Sequence, residues 1–143
     1  MGDYLVATES DKGHRMASVA GLPDRYRREV DHPRTVFETS IVLLAIDGAS
    51  VVGCGVLAPA VEGVGEIKRL FVAPGSRGHG HAGRLVDALV EAAERRRDAC
   101  VRLTVWSWRE AAMRLYRARG FTDVASWDPR LDLVCMEREL VRR

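Results

Sequence analysis

The sequence predicts a mixed α/β (α+β) domain in which a central sheet of about six to seven strands is flanked by helices. Two observations lead to this prediction. Short apolar runs bounded by turn residues recur along the chain, and two segments with helical spacing of apolar residues separate the later runs. A length of 143 residues suffices for one core of ordinary size, so we expect a single domain over 1–143.

The first strands are separated by strong turn signals. Ile41–Ile46 and Val51–Leu57 flank Asp47-Gly48, a pair typical of tight hairpins. An earlier strand is expected at Asp3–Ala7, whereas residues 8–35 contain several Gly and Pro and predict only short helices. Further strands are expected at Val64–Val72, Val101–Trp106, Phe121–Ala125 and Leu133–Glu139.

Two helices are predicted between the later strands. One begins at His79 or His81 and runs to Arg97, because its apolar residues recur on one face. The other covers Glu110–Arg119 and is stopped by Gly120. Since a helix joins Val64–Val72 to the next strand, these two strands should be parallel, with a right-handed connection.

Composition excludes several classes of protein. Apolar residues make up 47% of the chain and charged residues 29%, which is unlike a disordered protein. The net charge of +2 gives no field for nucleic acid or a membrane surface. No apolar run is long enough to span a membrane and no leader is visible, so we expect a cytoplasmic protein.

The cysteines and lysines add little about function. Cys54, Cys100 and Cys135 lie in apolar runs without metal-ligand spacing, so we expect reduced, buried thiols and no metal site. Lys12 and Lys68 are the two lysines among 22 basic residues, which indicates a GC-rich, bacterial-like genome.

A glycine-rich loop follows Val64–Val72 and opens directly into a helix. Gly78, Gly80 and Gly83 lack a Cβ, so backbone N–H groups there can approach an anion. The helix N-terminus adds unpaired N–H donors and the positive end of the helix dipole. The segment therefore predicts a phosphate cradle, with Arg77 as an added charge; the alternative is a turn that only packs the helix on the sheet.

The same glycines fit G-x-G-x-x-G, a pattern typical of dinucleotide-binding folds. Residues 74–77 separate the strand from the first glycine, no acidic residue closes the next strand, and too few residues follow Gly83 for a six-stranded sheet of that kind. Arg109 could bind a 2′-phosphate, but this alone is a weak indication. The dinucleotide interpretation is therefore disfavoured.

Two segments resemble the GNAT-type N-acetyltransferases. Leu70-Phe-Val-Ala-Pro-Gly-Ser-Arg-Gly-His-Gly-His-Ala82 resembles the acetyl-CoA signature, with Arg77, Gly80 and Ala82 at the anchor positions of Arg/Gln-x-x-Gly-x-Gly/Ala. Ala112-Met-Arg-Leu-Tyr-Arg-Ala-Arg-Gly-Phe121 resembles a second block, Ala-x-x-Leu-Tyr-x-x-x-Gly-Phe. The resemblance covers about half of the chain, from Val64 to Leu140.

The resemblance implies that Val64–Val72 and Val101–Trp106 splay apart and that acetyl-CoA lies in the gap. Arg109 stands where related enzymes often carry Asn, so its role stays open between a CoA phosphate, a substrate carboxylate and a solvated helix start. The residues that the resemblance assigns to the cofactor are Leu70, Phe71, Val72, Arg77, Gly78, His79, Gly80, His81, Ala82, Gly83, Arg109 and Ala112.

The resemblance also implies two catalytic residues. Tyr116 is placed to protonate the departing CoA thiolate, although a core tyrosine beside Leu115 is the alternative. Glu66 lies where related enzymes often carry an acid, so it is the candidate base, directly or through water. Its alternative is a surface carboxylate near Lys68 and Arg69.

The predicted activity is transfer of the acetyl group of acetyl-CoA to a primary amine of a small molecule by direct attack. A protein or peptide acceptor and a non-catalytic CoA-binding module stay open, and a homodimer is common in the family. An RNA-linked role is disfavoured because charge runs are usually solvated.

The sequence also indicates which residues surround the acceptor. Trp106, Trp108 and Trp127 are expected near the acceptor. Acidic Asp128 and Asp132 favour a cationic acceptor, whereas Arg130 and Arg109 favour a carboxylate, so the acceptor's charge is undecided.

Overall fold

The structure, a computed structural model, describes residues 28–141 apart from residue 30. The strand predicted at Asp3–Ala7 and most of the region 8–35 lie outside the described residues. The elements, with a 3-10 turn at Pro74–Ser76, are α1 (Pro33–Val36), β1 (Ile41–Asp47), β2 (Ser50–Val61), β3 (Val64–Val72), α2 (His81–Arg95), β4 (Cys100–Trp106), α3 (Glu110–Ala118), β5 (Thr122–Val124) and β6 (Leu133–Glu139).

The six described strands form one mixed sheet in the order β1-β2-β3-β4-β6-β5. Neighbouring strands are antiparallel except β3 and β4, which are parallel because α2 connects them. The predicted mixed α/β fold and the predicted parallel pair are therefore confirmed. The parallel pair lies near the middle of the sheet, with β2 on one side and β6 on the other.

The hairpin predicted at Asp47-Gly48 is present. Asp47 pairs with Ser50, and Gly48 adopts the positive φ of 60° that the tight turn requires. The second strand is longer than predicted and runs through Pro59 to Val61. This extension is possible because β1 stops pairing at Leu57, so beyond that residue β2 has a partner on one side only, and an edge position tolerates the missing N–H of proline.

The core lies on one face of the sheet, under α2 and α3. Alternate residues of β4, Val101, Leu103 and Val105, are buried there. The inner face of α2 packs on them and on β2 and β3, as its apolar spacing predicts. The helix ends at Arg95 rather than at Arg97, because Arg97 adopts a left-handed φ of 64° that breaks the helix.

The parallel strands β3 and β4 stay together for only three residue pairs. Pairing begins at Val64 and Cys100 and ends at Glu66 and Arg102. On its other edge β3 remains paired with β2, but the register shifts there, so that Arg69 and Leu70 together oppose Gly55. Arg69 has a φ of 55°, which is rare for a residue with a side chain and is typical of a bulge. The bulge bends β3 beyond the point where it leaves β4.

None of the helices in the described residues is both long enough and apolar enough to cross a lipid bilayer.

Two glycine-to-alanine substitutions, one in strand β2 and one in helix α2, should differ in their effect on the stability of the protein. A Cβ at Gly53 would lie 2.6 Å from the backbone oxygen of Phe71, which cannot move without displacing β3. A Cβ at Gly83 would meet the guanidinium end of Arg119, which can turn away. We expect Gly53→Ala to lower the free energy of unfolding by about 1–3 kcal/mol.

Gly83→Ala is the matched control. It should leave the free energy of unfolding within about 1 kcal/mol of the parent's, because the better helix propensity of alanine offsets the loss of the exposed ion pair between Arg119 and Asp87. Urea titrations of both variants, fitted with the parent's m-value, measure the difference in the free energy of unfolding. Equal stabilities for the two variants would contradict the proposed clash at Gly53.

Candidate functional site

A cleft of about 1030 Å³ opens where β3 and β4 separate. It is bounded by both strands, by α3 and by the segment from Trp127 to Leu133, so one continuous space reaches across the gap in the sheet. The predicted site residues that line this cleft are Glu66, Leu70, Phe71, Val72, Arg77, Ala82, Arg109, Ala112 and Tyr116.

The glycine loop forms a smaller depression of about 200 Å³ beside the cleft. Gly78 and Gly80 both have a φ of 82°, which lets the loop turn sharply into α2. The first bond of the helix runs from the Arg84 N–H to the Gly80 oxygen at 3.1 Å, so the amides of residues 81–83 have no acceptor within the helix. Gly78, Gly80, His81, Ala82 and Gly83 all line the depression. These donors fit a phosphate group.

The remaining predicted loop residues occupy different places. The Arg77 Nε donates to the Val72 oxygen at 3.0 Å, and its guanidinium lies 5.9 Å from the centre of the Phe71 ring. Arg77 therefore fixes the turn after β3 while it lines both cavities. His79 lines neither cavity; it is exposed, and its carbonyl oxygen accepts a hydrogen bond from Arg84 at 3.2 Å.

The His81 side chain is buried at the start of α2. Its Nδ1 lies 3.0 Å from Arg84 Nη2, and because an arginine can only donate, Nδ1 is the acceptor. The ring proton of neutral His81 is then on Nε2, which lies 3.7 Å from the Asp47 carboxylate in the β1–β2 turn. Nε2 has no hydrogen-bond partner among the described residues, so the His81 side chain lies near the hairpin without a hydrogen bond to it.

Arg119 joins the end of α3 to the beginning of α2. Its Nε donates to the Asp87 carboxylate at 3.0 Å and lies 3.3 Å from the Gly83 oxygen, with the guanidinium over the face of Gly83 that has no Cβ. Arg138 in β6 in turn donates to the Arg119 carbonyl at 2.9 Å. This contact provides a structural reason for a glycine at position 83, which the glycine pattern alone did not reveal.

Tyr116 is on the inner face of α3. Only 7% of the residue is exposed, and its ring packs edge-on against Phe121 with centres 6.0 Å apart. It also lines the cleft, so the residue belongs to the core and to the site at once. Arg109 precedes α3 at the N-cap position and makes no side-chain capping hydrogen bond; it lines the cleft as well.

Glu66 lies at the last rung where β3 and β4 are paired. Its carboxylate is 3.7 Å from the guanidinium of Arg102, its partner in register on β4. Arg102 also lies over the Trp127 ring, 4.5 Å from its centre. Glu66 is therefore half-buried beside a cation at the base of the cleft, not a fully solvated surface carboxylate.

A second carboxylate in the cleft was not predicted. Glu29 is buried, with 8% of the residue exposed, and Arg69 donates to it through Nε and Nη2, both at 2.7 Å. The two residues are 40 positions apart in the sequence, so no local pattern could have paired them. The pair ties the segment before α1 to the bulge in β3.

The three tryptophans line the cleft, as expected. Trp106 and Trp108 stack with ring centres 4.9 Å apart, and Arg130 lies 5.6 Å from the Trp106 ring. Arg130 also donates to both oxygens of Asp128, at 2.8 and 2.7 Å. These hydrogen bonds lower the pKa of Asp128 from 3.8 to about 2.

The cysteines are free thiols, as predicted, although Cys100 is only half-buried. Burial raises the pKa of Cys54 and of Cys100, and the neighbouring Glu137 adds to the effect at Cys100. Both are therefore neutral at physiological pH and poor nucleophiles. Within the part of the chain that the structure describes, no cluster of three or more potential metal ligands is found.

The Asp128–Arg130 pair gives a pH prediction. Since its folded-state pKa is lowered, the ionised pair contributes above pH 3.8, and the contribution is lost as the pH falls through about 2. In Arg130→Gln the side-chain bonds are removed and one backbone bond remains, so the pKa of Asp128 should rise part of the way to 3.8. A carbon-13 NMR titration of the Asp128 carboxyl group measures this pKa.

Arg117→Gln is the control. It breaks another exposed Arg–Asp pair and should leave the pKa of Asp128 unchanged. An unaltered pKa of Asp128 in Arg130→Gln would refute the assigned cause.

The chain is similar to known acetyltransferases in sequence and in fold. A sequence model of the Acetyltransferase (GNAT) family matches residues 11–121. A protein of Azospirillum brasilense named IAA acetyltransferase is 33% identical over 113 residues, which are 76% of this chain and 74% of that protein.

Solved structures of the family share the fold. A GNAT-family acetyltransferase of Staphylococcus aureus superposes with a TM-score of 0.77 at 17% identity, covering 96% of this chain and 89% of that one. Another, from Elizabethkingia anophelis with acetyl-CoA bound, gives 0.65 at 20% identity, covering 85% and 94%. Because the family match spans most of the sequence and the fold agrees with it, the chain belongs to the GNAT family of acetyltransferases.

Proposed function

We propose that this chain is an N-acetyltransferase that moves the acetyl group of acetyl-CoA to a primary amine of a small molecule. The observation that carries the proposal is the cleft between β3 and β4, which begins at Glu66, contains Tyr116 and ends beside the unpaired amides of α2. The relative named IAA acetyltransferase supports a small-molecule acceptor. A phosphate cradle alone would fit a dinucleotide, but the family match favours a CoA-based cosubstrate.

The cosubstrate supplies the activated acetyl group, and this chain's residues hold it at three places. The amides of residues 81–83 receive the pyrophosphate, and Arg77 adds a positive charge beside them. The backbone of Leu70, Phe71 and Val72 on the free edge of β3 pairs with the pantetheine arm in the manner of an added strand. Ala112 and Arg109 at the start of α3 line the opposite wall.

The chemistry requires one bond to form and one to break. The amine nitrogen bonds to the acetyl carbon, and the carbon–sulfur bond breaks with its electron pair on sulfur. One proton leaves the nitrogen, and Glu66 accepts it directly or through water. One proton reaches the sulfur, and Tyr116 donates it from a buried phenol. A backbone N–H of β3 beyond Glu66 polarises the acetyl oxygen as negative charge develops there.

Acetyl-CoA should stabilise the protein against heat. A ligand that binds only the folded state raises the apparent stability, by about 2.7 kcal/mol at a hundredfold excess over its Kd. We expect an upward shift of Tm with acetyl-CoA and none with NADP, measured by differential scanning fluorimetry. A shift with NADP alone would overturn the proposal and favour dinucleotide binding by the glycine loop.

Tyr116→Phe tests the general acid. The ring and its packing against Phe121 are kept, so the variant should fold and should show the parent's shift with acetyl-CoA. Loss of the phenolic proton should lower kcat about 100-fold or more, with little change in the KM for acetyl-CoA. Release of free thiol with an accepted amine measures both constants. Unchanged kcat would mean that Tyr116 is only a core residue.

Glu66→Gln tests the base. We expect kcat/KM for the amine to fall about 100-fold or more, while acetyl-CoA binding persists. Glu137→Gln is the matched control, because Glu137 is the partner of Arg102 on the other side of β4 and does not line the cleft. Equal losses in the two variants would assign the effect to the surroundings of Arg102 and not to proton transfer at Glu66.

A further inference from the structure

The charged side chains at the acceptor end of the cleft are arranged in pairs. We define the acceptor wall as Glu29, Glu66, Lys68, Arg69, Asp128 and Arg130. All six line the cleft. They lie away from the glycine loop, on β3 up to its bulge, on the segment before α1 and on the segment that follows Trp127.

Every carboxylate of the acceptor wall has an arginine partner. Glu29 receives two hydrogen bonds of 2.7 Å from Arg69. Asp128 receives bonds of 2.8 and 2.7 Å from Arg130. Glu66 lies 3.7 Å from Arg102, whose guanidinium is held over Trp127. The negative charge of the wall is thus already neutralised from within the protein.

This pairing disfavours an acceptor with a second ammonium group. Such a group would need a carboxylate that is not engaged, and the two short pairs are bidentate, the geometry in which an arginine holds a carboxylate most firmly. At the acceptor wall, a polyamine or a lysine-like chain would have to displace an arginine from its carboxylate. Of the two acidic residues that the sequence offered as an attraction for a cationic amine, Asp128 is engaged by Arg130, and Asp132 does not line the cleft.

Lys68 is different from the other cations of the acceptor wall. It shares the β3 face of Glu66, two residues away, and stands opposite Val56 on β2. Among the described residues no acidic group lies within ion-pair distance of its amine, and the side chain is exposed to the cleft. Among the described residues, the acceptor wall and Arg102 together have four cations and three carboxylates, and Lys68 is the cation that has no carboxylate partner there.

We propose that the acceptor is a monoamine that also bears a carboxylate, and that Lys68 binds this carboxylate. The inference rests on the proposed acetyltransferase function and narrows its substrate class. The carboxylate supplies the counter-ion that Lys68 lacks, while the acceptor's single amine faces Glu66 two residues earlier on the same strand. Lys68 is a specificity-determining residue here and takes no part in proton transfer.

Matched amines test the substrate class. One series keeps a four-carbon chain and changes its far end: 4-aminobutyrate, butylamine and putrescine. The second removes an α-carboxylate: phenylalanine against phenethylamine. We expect kcat/KM, measured by thiol release, to be at least tenfold higher for the acid of one or both series than for its partner without the carboxylate, and lowest for putrescine. Binding is measured separately, as a thermal shift in the presence of CoA.

A charge reversal tests the residue. Lys68→Glu should lower the preference for the acid over its partner without the carboxylate at least tenfold and leave the shift with acetyl-CoA unchanged. Arg95→Glu makes the same change of charge on the exposed face of α2, away from the cleft, and should leave the preference as it is.

Three results would overturn the inference while the proposed function stands. The first is use of the amines without a carboxylate, or of putrescine, as well as the acids. The second is an acid preference that Lys68→Glu does not alter. The third is neither binding nor turnover of any acid although acetyl-CoA still stabilises the protein. Absence of stabilisation by acetyl-CoA would instead refute the proposed function, and this inference with it.

Discussion

Hydrogen bonding between β3 and β4 stops after Glu66 and Arg102, and this interruption determines where every part of the site lies. Beyond it the inner edges of two strands have backbone groups without a strand partner, in the middle of a sheet where such groups are normally paired. β3 keeps β2 on its other edge and β4 keeps β6, so the sheet opens without coming apart. The unpaired edges are where a cosubstrate with amide groups can bind.

The opening is maintained by residues on both of its sides. At the bulge, Arg69 holds a backbone conformation that side chains rarely adopt, and its guanidinium is anchored by buried Glu29. On the other side, Arg102 connects the last paired rung to Trp127. A strained residue persists only where its surroundings fix it. The Glu29–Arg69 pair that anchors the bulge also neutralises one of the acids of the acceptor wall.

The sequence was sufficient to predict the local features of the fold. The bounds of β3 and β6, the turn at Gly48 and the inner face of α2 follow from short-range patterns, and the structure has them at the expected residues. The predicted end of β2 was wrong. Pro59 can lie inside this strand because β1 no longer pairs there, and that is a property of the sheet. Asp128 and Arg130 are two residues apart, yet only their side-chain orientations show that they engage each other and not a substrate.

The long-range pairs could not be predicted in the same way. The contact between Glu29 and Arg69 forms only when the fold brings distant segments together, and so does the contact between Glu66 and Arg102. A single sequence has no signal for either contact. The resemblance supplied Tyr116 and the glycine loop because these lie in contiguous blocks. Of the acceptor wall it supplied Glu66 alone, because the residues of this wall come from three separate segments.

The contact between Arg119 and Gly83 links two positions that are 36 residues apart. While arginine occupies position 119, any side chain at 83 must push its guanidinium away from Asp87 and from the first turn of α2. If position 119 first became a short residue, the space would be released and position 83 could accept a larger side chain at no cost. The two positions should therefore covary among descendants of this sequence, with the change at 119 preceding the change at 83.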